Sequence, residues 1–90
     1  MNSYVYPSPA RGDRASVAYE LKEDADVRLR IYNEAGRLVD TIQEHKNGGH
    51  QSSGFNTAKL APGAYFYALY AQYGSGSSEL QPVRKFVVIH

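Results

Sequence analysis

Apolar and polar residues alternate along most of this chain with a period of two, the signature of strands that bury one face. In residues 16–21, SVAYEL, Val17, Tyr19 and Leu21 share one side, and Ser16, Ala18 and Glu20 the other. Residues 26–33 divide more sharply: Val27, Leu29 and Ile31 oppose Arg28, Arg30 and Tyr32, which predicts a strand with one wet face. NEAG, residues 33–36, ends that run with a glycine suited to positive φ, and RLVDTIQ resumes it. The pair reads as a hairpin with Gly36 in its turn. An opening strand at SYVY (3–6), a weaker edge strand around His50 to Phe55, the long GAYFYALYAQY (63–73) and a closing strand in QPVRKFVVIH (81–90) complete the set. GSGSS (74–78) reads as a flexible hairpin loop. A helix competes only at TAKLA (57–61), where Pro62 and Gly63 stop it within about a turn. About seven short strands separated by turn signals predict an all-β fold, a two-sheet antiparallel sandwich.

The stretch LAPGAYFYALYAQY holds four of the eight tyrosines and one of the three phenylalanines, so its faces decide where the aromatic surface goes. Alternation places Tyr65, Tyr67 and Leu69 on one side and Phe66, Ala68 and Tyr70 on the other. A leucine, a Pro-Gly turn and a tyrosine opening a strand is how immunoglobulin-like sandwiches build their tyrosine corner, with the phenol bonding nearby backbone. The first set is therefore assigned to the core. If the strands carrying Tyr32, Phe66 and Tyr70 share a sheet, those three rings form an outward aromatic strip. Such a strip is either a contact surface or cross-strand pairing that steadies the sheet.

At 90 residues the chain is one domain, residues 1–90, with a modest core. Ten Lys/Arg against nine Asp/Glu, mixed along the chain, argue against electrostatic binding to nucleic acid or to an acidic membrane. No cysteine is present, so there is neither a disulfide framework nor a thiolate metal site. No apolar run reaches the roughly 18 residues of a membrane span, so no membrane insertion is expected. MNSYVYPSP lacks a basic segment followed by an apolar one, so an export signal is expected outside this chain.

Candidate chemistry is sparse. His45 and His50 flank KNGG, but a metal would need a third ligand and only Glu44 lies near, so they read as solvated loop histidines. No serine sits in a strand-to-helix elbow, and GSGSS lacks the Lys-Ser/Thr pair of a phosphate loop. RGD, residues 11–13, matches a tripeptide read by animal adhesion receptors, yet it also reads as the turn before a strand. Glu20, Glu23, Asp24 and Asp26 cluster around a turn with nothing apolar to raise a pKa. These patterns point to no enzyme, no metal and no cofactor.

The order of motifs is more specific than any one of them. YPSP, then SVAYELKEDADVRLRIYNEAGRLVDTI, GGH, LAPGAYFYAL and RKFVVI together resemble the immunoglobulin-like C-terminal domains of bacterial exported proteins. Two relatives share the pattern: the type A C-terminal sorting domain of type IX secretion, and the immunoglobulin-like domain of the flagellar hook-capping protein. The resemblance runs from Tyr6 to Ile89. It gives Tyr6, Pro7 and Pro9 the opening Tyr-Pro-x-Pro place, and Val27, Leu29, Ile31, Tyr32 and Gly36 the central hairpin. Gly63, Tyr65 and Lys85 take the late Gly-x-Tyr and closing Lys places. Phe55-Asn56 stands where many relatives carry Trp-Asp.

The resemblance implies a non-catalytic C-terminal module, excised from a larger secreted or cell-surface bacterial protein, that acts as a sorting and surface-anchoring signal. It implies an outer-membrane secretion machine as partner, and a processing enzyme that removes the domain and attaches the cargo to surface lipopolysaccharide. Lys85 and the strand at Phe86 to Ile89 then belong to the recognition surface. The alternative is a binding or assembly module in which Tyr32, Phe66 and Tyr70 stack on a polysaccharide or on a second copy of the domain. An inert spacer beside a catalytic domain is the remaining reading.

Overall fold

Strong alternation in the central segments produces two packed layers, each burying one side of its strands. The computed structural model describes residues 2–89; Met1 and His90, the ends of the expected domain, lie outside them. Among the described residues there are eight strands and no helix: β1 (Ser3–Tyr6), β2 (Arg14–Leu21), β3 (Ala25–Asn33), β4 (Leu38–Lys46), β5 (Gly49–Asn56), β6 (Gly63–Tyr73), β7 (Ser78–Leu80) and β8 (Arg84–Val88). One sheet runs β1-β2-β5. The other runs β4-β3-β6, with β7 and β8 both paired along the far side of β6. All these pairs are antiparallel. The fold is an antiparallel β-sandwich, as the alternation predicts.

The strand count exceeds the expected seven because the closing segment is broken. Pro82 has no N–H to give to β6, so β7 stops before it and β8 resumes beyond Val83. The Gln81 N–H still bonds the Leu69 carbonyl at 2.9 Å, while its side chain turns into the core. There the Ser3 hydroxyl donates to Gln81 Oε1 at 2.5 Å, which leaves Ser3 Oγ to accept from the Tyr67 hydroxyl at 2.8 Å. A buried polar chain thus ties β1 to the break between β7 and β8.

The β3–β4 and β6–β7 hairpins are closed by the Asn33 N–H on the Arg37 carbonyl and the Tyr73 N–H on the Ser77 carbonyl, and each loop has a glycine in the left-handed region, Gly36 at φ 82° and Gly76 at φ 96°. In the first, Asn33 Oδ1 accepts from the N–H groups of Ala35 and Arg37, so the asparagine side chain organises the turn. The β3–β4 register shifts once, between Ile31 and Tyr32, leaving Val39 as the extra residue of a bulge. That shift brings Leu38 beside Tyr32 on the outer face. Gly48 is required for a different reason: a Cβ there would lie 2.9 Å from the Cα of Glu23, so the β4–β5 connection can cross only as glycine.

The core is the set the alternation assigns. Val17, Tyr19 and Leu21 face Val27, Leu29 and Ile31, and Tyr65, Tyr67 and Leu69 are buried with them. Phe86 of β8 is the hub of the aromatic part, its ring 5.5 Å from Phe55, 5.8 Å from Tyr65 and 6.2 Å from Tyr67. The Tyr65 hydroxyl donates to the Ala61 carbonyl at 2.7 Å, which is the expected tyrosine corner. TAKLA forms a turn rather than a helix, closed by the Leu60 N–H on the Thr57 carbonyl.

Candidate functional site

The outer face of the five-stranded sheet collects the residues that sequence reasoning singled out. Tyr32 of β3 pairs with Phe66 of β6, and Phe66 pairs with Lys85 of β8. With Leu38 on the other side of Tyr32 they form one row, Leu38–Tyr32–Phe66–Lys85, across four strands. Tyr70 lies on the same face, opposite Arg28 and beside Leu80. The three rings are half-buried, whereas Lys85 is exposed. The exposed apolar side chains stand at the margins: Leu38 at 49%, Leu80 at 68% and Val87 at 41%. This arrangement combines a rigid aromatic floor with apolar rims, since β3 and β6 are interior strands held on both sides.

The face is also basic. Arg28, Arg30 and Lys85 project from it, and none has an ion-pair partner among the described residues. Asp26, on the same side of β3, accepts His45 Nδ1 at 2.9 Å across the β3–β4 pair. His50 lies in the other sheet, 3.3 Å from Glu20, so the structure does not bring the two histidines together. The remaining acids of the predicted cluster are also divided among separate tasks. Asp24 Oδ1 accepts the Gly48 N–H at 2.8 Å, and Glu23 Oε1 accepts the Ser75 N–H at 3.1 Å. They tie neighbouring loops to the turn after β2. Glu44 points inward, one oxygen 3.7 Å from Lys46 and the other buried without a partner. In the RGD loop, Thr57 holds the backbone through bonds to the Gly12 and Asp13 carbonyls.

Sequence reasoning missed the most exposed rings. Tyr4 and Tyr6, 63% and 43% exposed, sit 6.0 Å apart on the outer face of the three-stranded sheet, beside the small residues Ala18 and Ser16. The signal was available: once SYVY is a strand, alternation puts both tyrosines opposite the buried Ser3 and Val5. Near the end of β6 the Tyr73 hydroxyl donates to Glu79 at 2.5 Å. Burial, reinforced by that hydrogen bond and by the charge of Glu79, pushes the Tyr73 phenol up to about 12. Burial also raises the Tyr19 phenol, against the opposing effect of its hydrogen bond with Ser53.

The fold is similar to that of dimeric latent PorU from Porphyromonas gingivalis, with a TM-score of 0.77 and 20% identity over 97% of this chain and 9% of that one. It is also similar to the soluble domain of PmoD from a Methylocystis species, with a TM-score of 0.54 and 19% identity over 88% of this chain and 75% of that one. At such identities the likeness is one of fold, and this chain spans less than a tenth of the PorU chain. No curated protein matches it in sequence. The model of the secretion system C-terminal sorting domain, however, matches residues 4–88, from the exposed tyrosine pair through the last core residue of β8. The chain belongs to the C-terminal sorting domain family of type IX secretion, whose members mark proteins for export to the cell surface or beyond.

Proposed function

We propose that the domain is a non-catalytic export address, and that the outer-membrane secretion machinery reads it on the outer face of the five-stranded sheet before the attached protein is anchored at the surface. The observation that carries this reading is the register that aligns Leu38, Tyr32, Phe66 and Lys85 across four strands. Half-buried rings between an exposed leucine and an unpaired lysine offer area that a partner can dry, with a charge to orient it. The face is preorganised, so binding orders little chain. Strand addition at the neighbouring edge is disfavoured, because Ala10 already bridges β8 through bonds to Val87 and Ile89 of 2.8 and 2.9 Å.

The test fuses residues 1–90 behind a periplasm-targeted fluorescent reporter in a type IX-competent bacterium. A Leu38→Glu, Lys85→Glu double variant, altered only at the exposed ends of the row, is run beside it with its Tm measured. The unchanged domain is expected to carry the reporter to the surface, and the variant to leave it in the periplasm with its melting intact. Surface delivery of the variant overturns the assignment of this face. Periplasmic retention of the unchanged fusion overturns the export reading itself.

A further inference from the structure

Farther along the same face, the sheet has a depression lined by Arg28 and Arg30 of β3, Ala68, Tyr70 and Gln72 of β6, and Leu80 of β7. No carboxylate lines it. The β4 residues paired with the two arginines are the uncharged Gln43 and Thr41; the carboxylates Asp26 and Glu44 line the adjoining depression that shares Arg28, and Asp26 there is engaged with His45. Arg28 Nε is buried with no partner, so the guanidinium is not fully satisfied within the protein. The Tyr70 hydroxyl donates to Gln72 Oε1 at 2.8 Å, which leaves the amide N–H groups as the donors of that side chain. One part of the depression therefore offers positive charge and N–H groups. The other part, made by the Tyr70 ring, Ala68 and Leu80, is apolar.

We infer that this depression binds an anionic sugar: a pyranose whose acidic group pairs with Arg28 and Arg30 while its C–H face lies against Tyr70. A guanidinium suits a carboxylate because its planar fork can meet both oxygens. A bare inorganic anion would leave the apolar wall unused. A peptide strand is a poor fit, because β3 and β6 are flanked on both sides and their backbone groups are already paired, so only side chains are available here. Two arginines on a chain of net charge +1 are also too few for the multiple phosphate contacts of a nucleic acid. The site does not depend on the export reading, and its test involves no export.

The experiment titrates ¹⁵N-labelled domain with sodium glucuronate, glucose, sodium phosphate and tetraglutamate at constant ionic strength, following amide shifts. Wild type is compared with Arg28→Gln, Arg30→Gln and the charge-preserving Arg28→Lys, each checked by Tm; Arg30 is exposed, so its variant tests the site without disturbing the fold. Glucuronate is expected to give saturable shifts around residues 28–30 and 68–72, with affinity about tenfold weaker in each Gln variant and intermediate in Arg28→Lys. Glucose is expected to bind about tenfold more weakly than glucuronate. No saturable shift up to roughly 100 mM, or equal affinity in Arg30→Gln, overturns the site. Phosphate binding as tightly as glucuronate reduces it to a bare anion site and overturns the sugar assignment. Tighter binding of tetraglutamate overturns it in favour of an acidic peptide.

Discussion

Lys85 and Phe86 are neighbours on β8 that face opposite ways, so truncating each in turn separates what holds the fold from what it displays. Phe86 is 6% exposed and its ring contacts those of Phe55, Tyr65 and Tyr67 at centroid distances of 5.5, 5.8 and 6.2 Å. Cutting a buried phenylalanine to alanine costs about 3–5 kcal/mol through lost transfer energy and the cavity left behind. Each lost aromatic pair can add about 0.5–1.5 kcal/mol, while partial collapse of neighbours returns some of it. We expect about 4 kcal/mol for Phe86→Ala, set against roughly 5–13 kcal/mol of total stability for a domain of this length. Phe86→Leu, which keeps an apolar side chain but loses the three ring contacts, should cost less than Phe86→Ala, about 1–3 kcal/mol, and Lys85→Ala should stay within about 0.5 kcal/mol. Urea unfolding at 25 °C, followed by far-UV circular dichroism and tyrosine fluorescence, measures all three, since the chain has no tryptophan. A loss below about 1 kcal/mol for Phe86→Ala would refute its place at the hub, because such a value belongs to surface sites.

Two further predictions address the tyrosines. Tyr65→Phe deletes the 2.7 Å bond to the Ala61 carbonyl while keeping the ring, and should cost about 1 kcal/mol in the same urea assay; an unchanged midpoint would remove the tyrosine corner as a stabilising contact. Tyr73 governs alkaline stability: its phenol, at about 12 in the fold, releases its proton later than the unfolded chain's, near 10. That contribution is complete below pH 10 and is lost as pH rises towards 12, with Tyr19 acting in the same direction. Stability measured between pH 9 and 12 should fall less steeply in Tyr73→Phe, and parallel curves for the two proteins would refute the assignment.

Faces were legible in the sequence and partners were not, for a physical reason. Period-two alternation sorts Arg28, Arg30 and Tyr32 to one side of β3, and Phe66 and Tyr70 to one side of β6, because side-chain direction is a local property of an extended chain. Which of them stand beside one another depends on register, which is set by the Asn33–Gly36 turn, the bulge at Val39 and the antiparallel pairing of β3 with β6. The union of Tyr32, Phe66 and Lys85 in one row therefore required the folded chain. Pro82 was a local signal that the closing strand must break. The inward turn of Gln81 was not local: its partner, Ser3, lies 78 residues away. Buried polar matching of that kind has no sequence period.

The same register explains why a C-terminal truncation is a poor probe of recognition. Removing residues 86–90 would take Phe86 and Val88 from the core and break the Ala10 bridge, so failure to export such a protein would report unfolding as much as a lost signal. Exchange of Lys85 leaves those contacts in place. On the proposed reading, this coupling also gives the address a condition. Tyr32, Leu38, Phe66 and Lys85 are drawn from positions 32 to 85, and they become one surface only when four strands have paired. An unfolded chain carries every one of these residues and none of the row. A machine that reads the row therefore discriminates between folded and unfolded domains without any separate sensor.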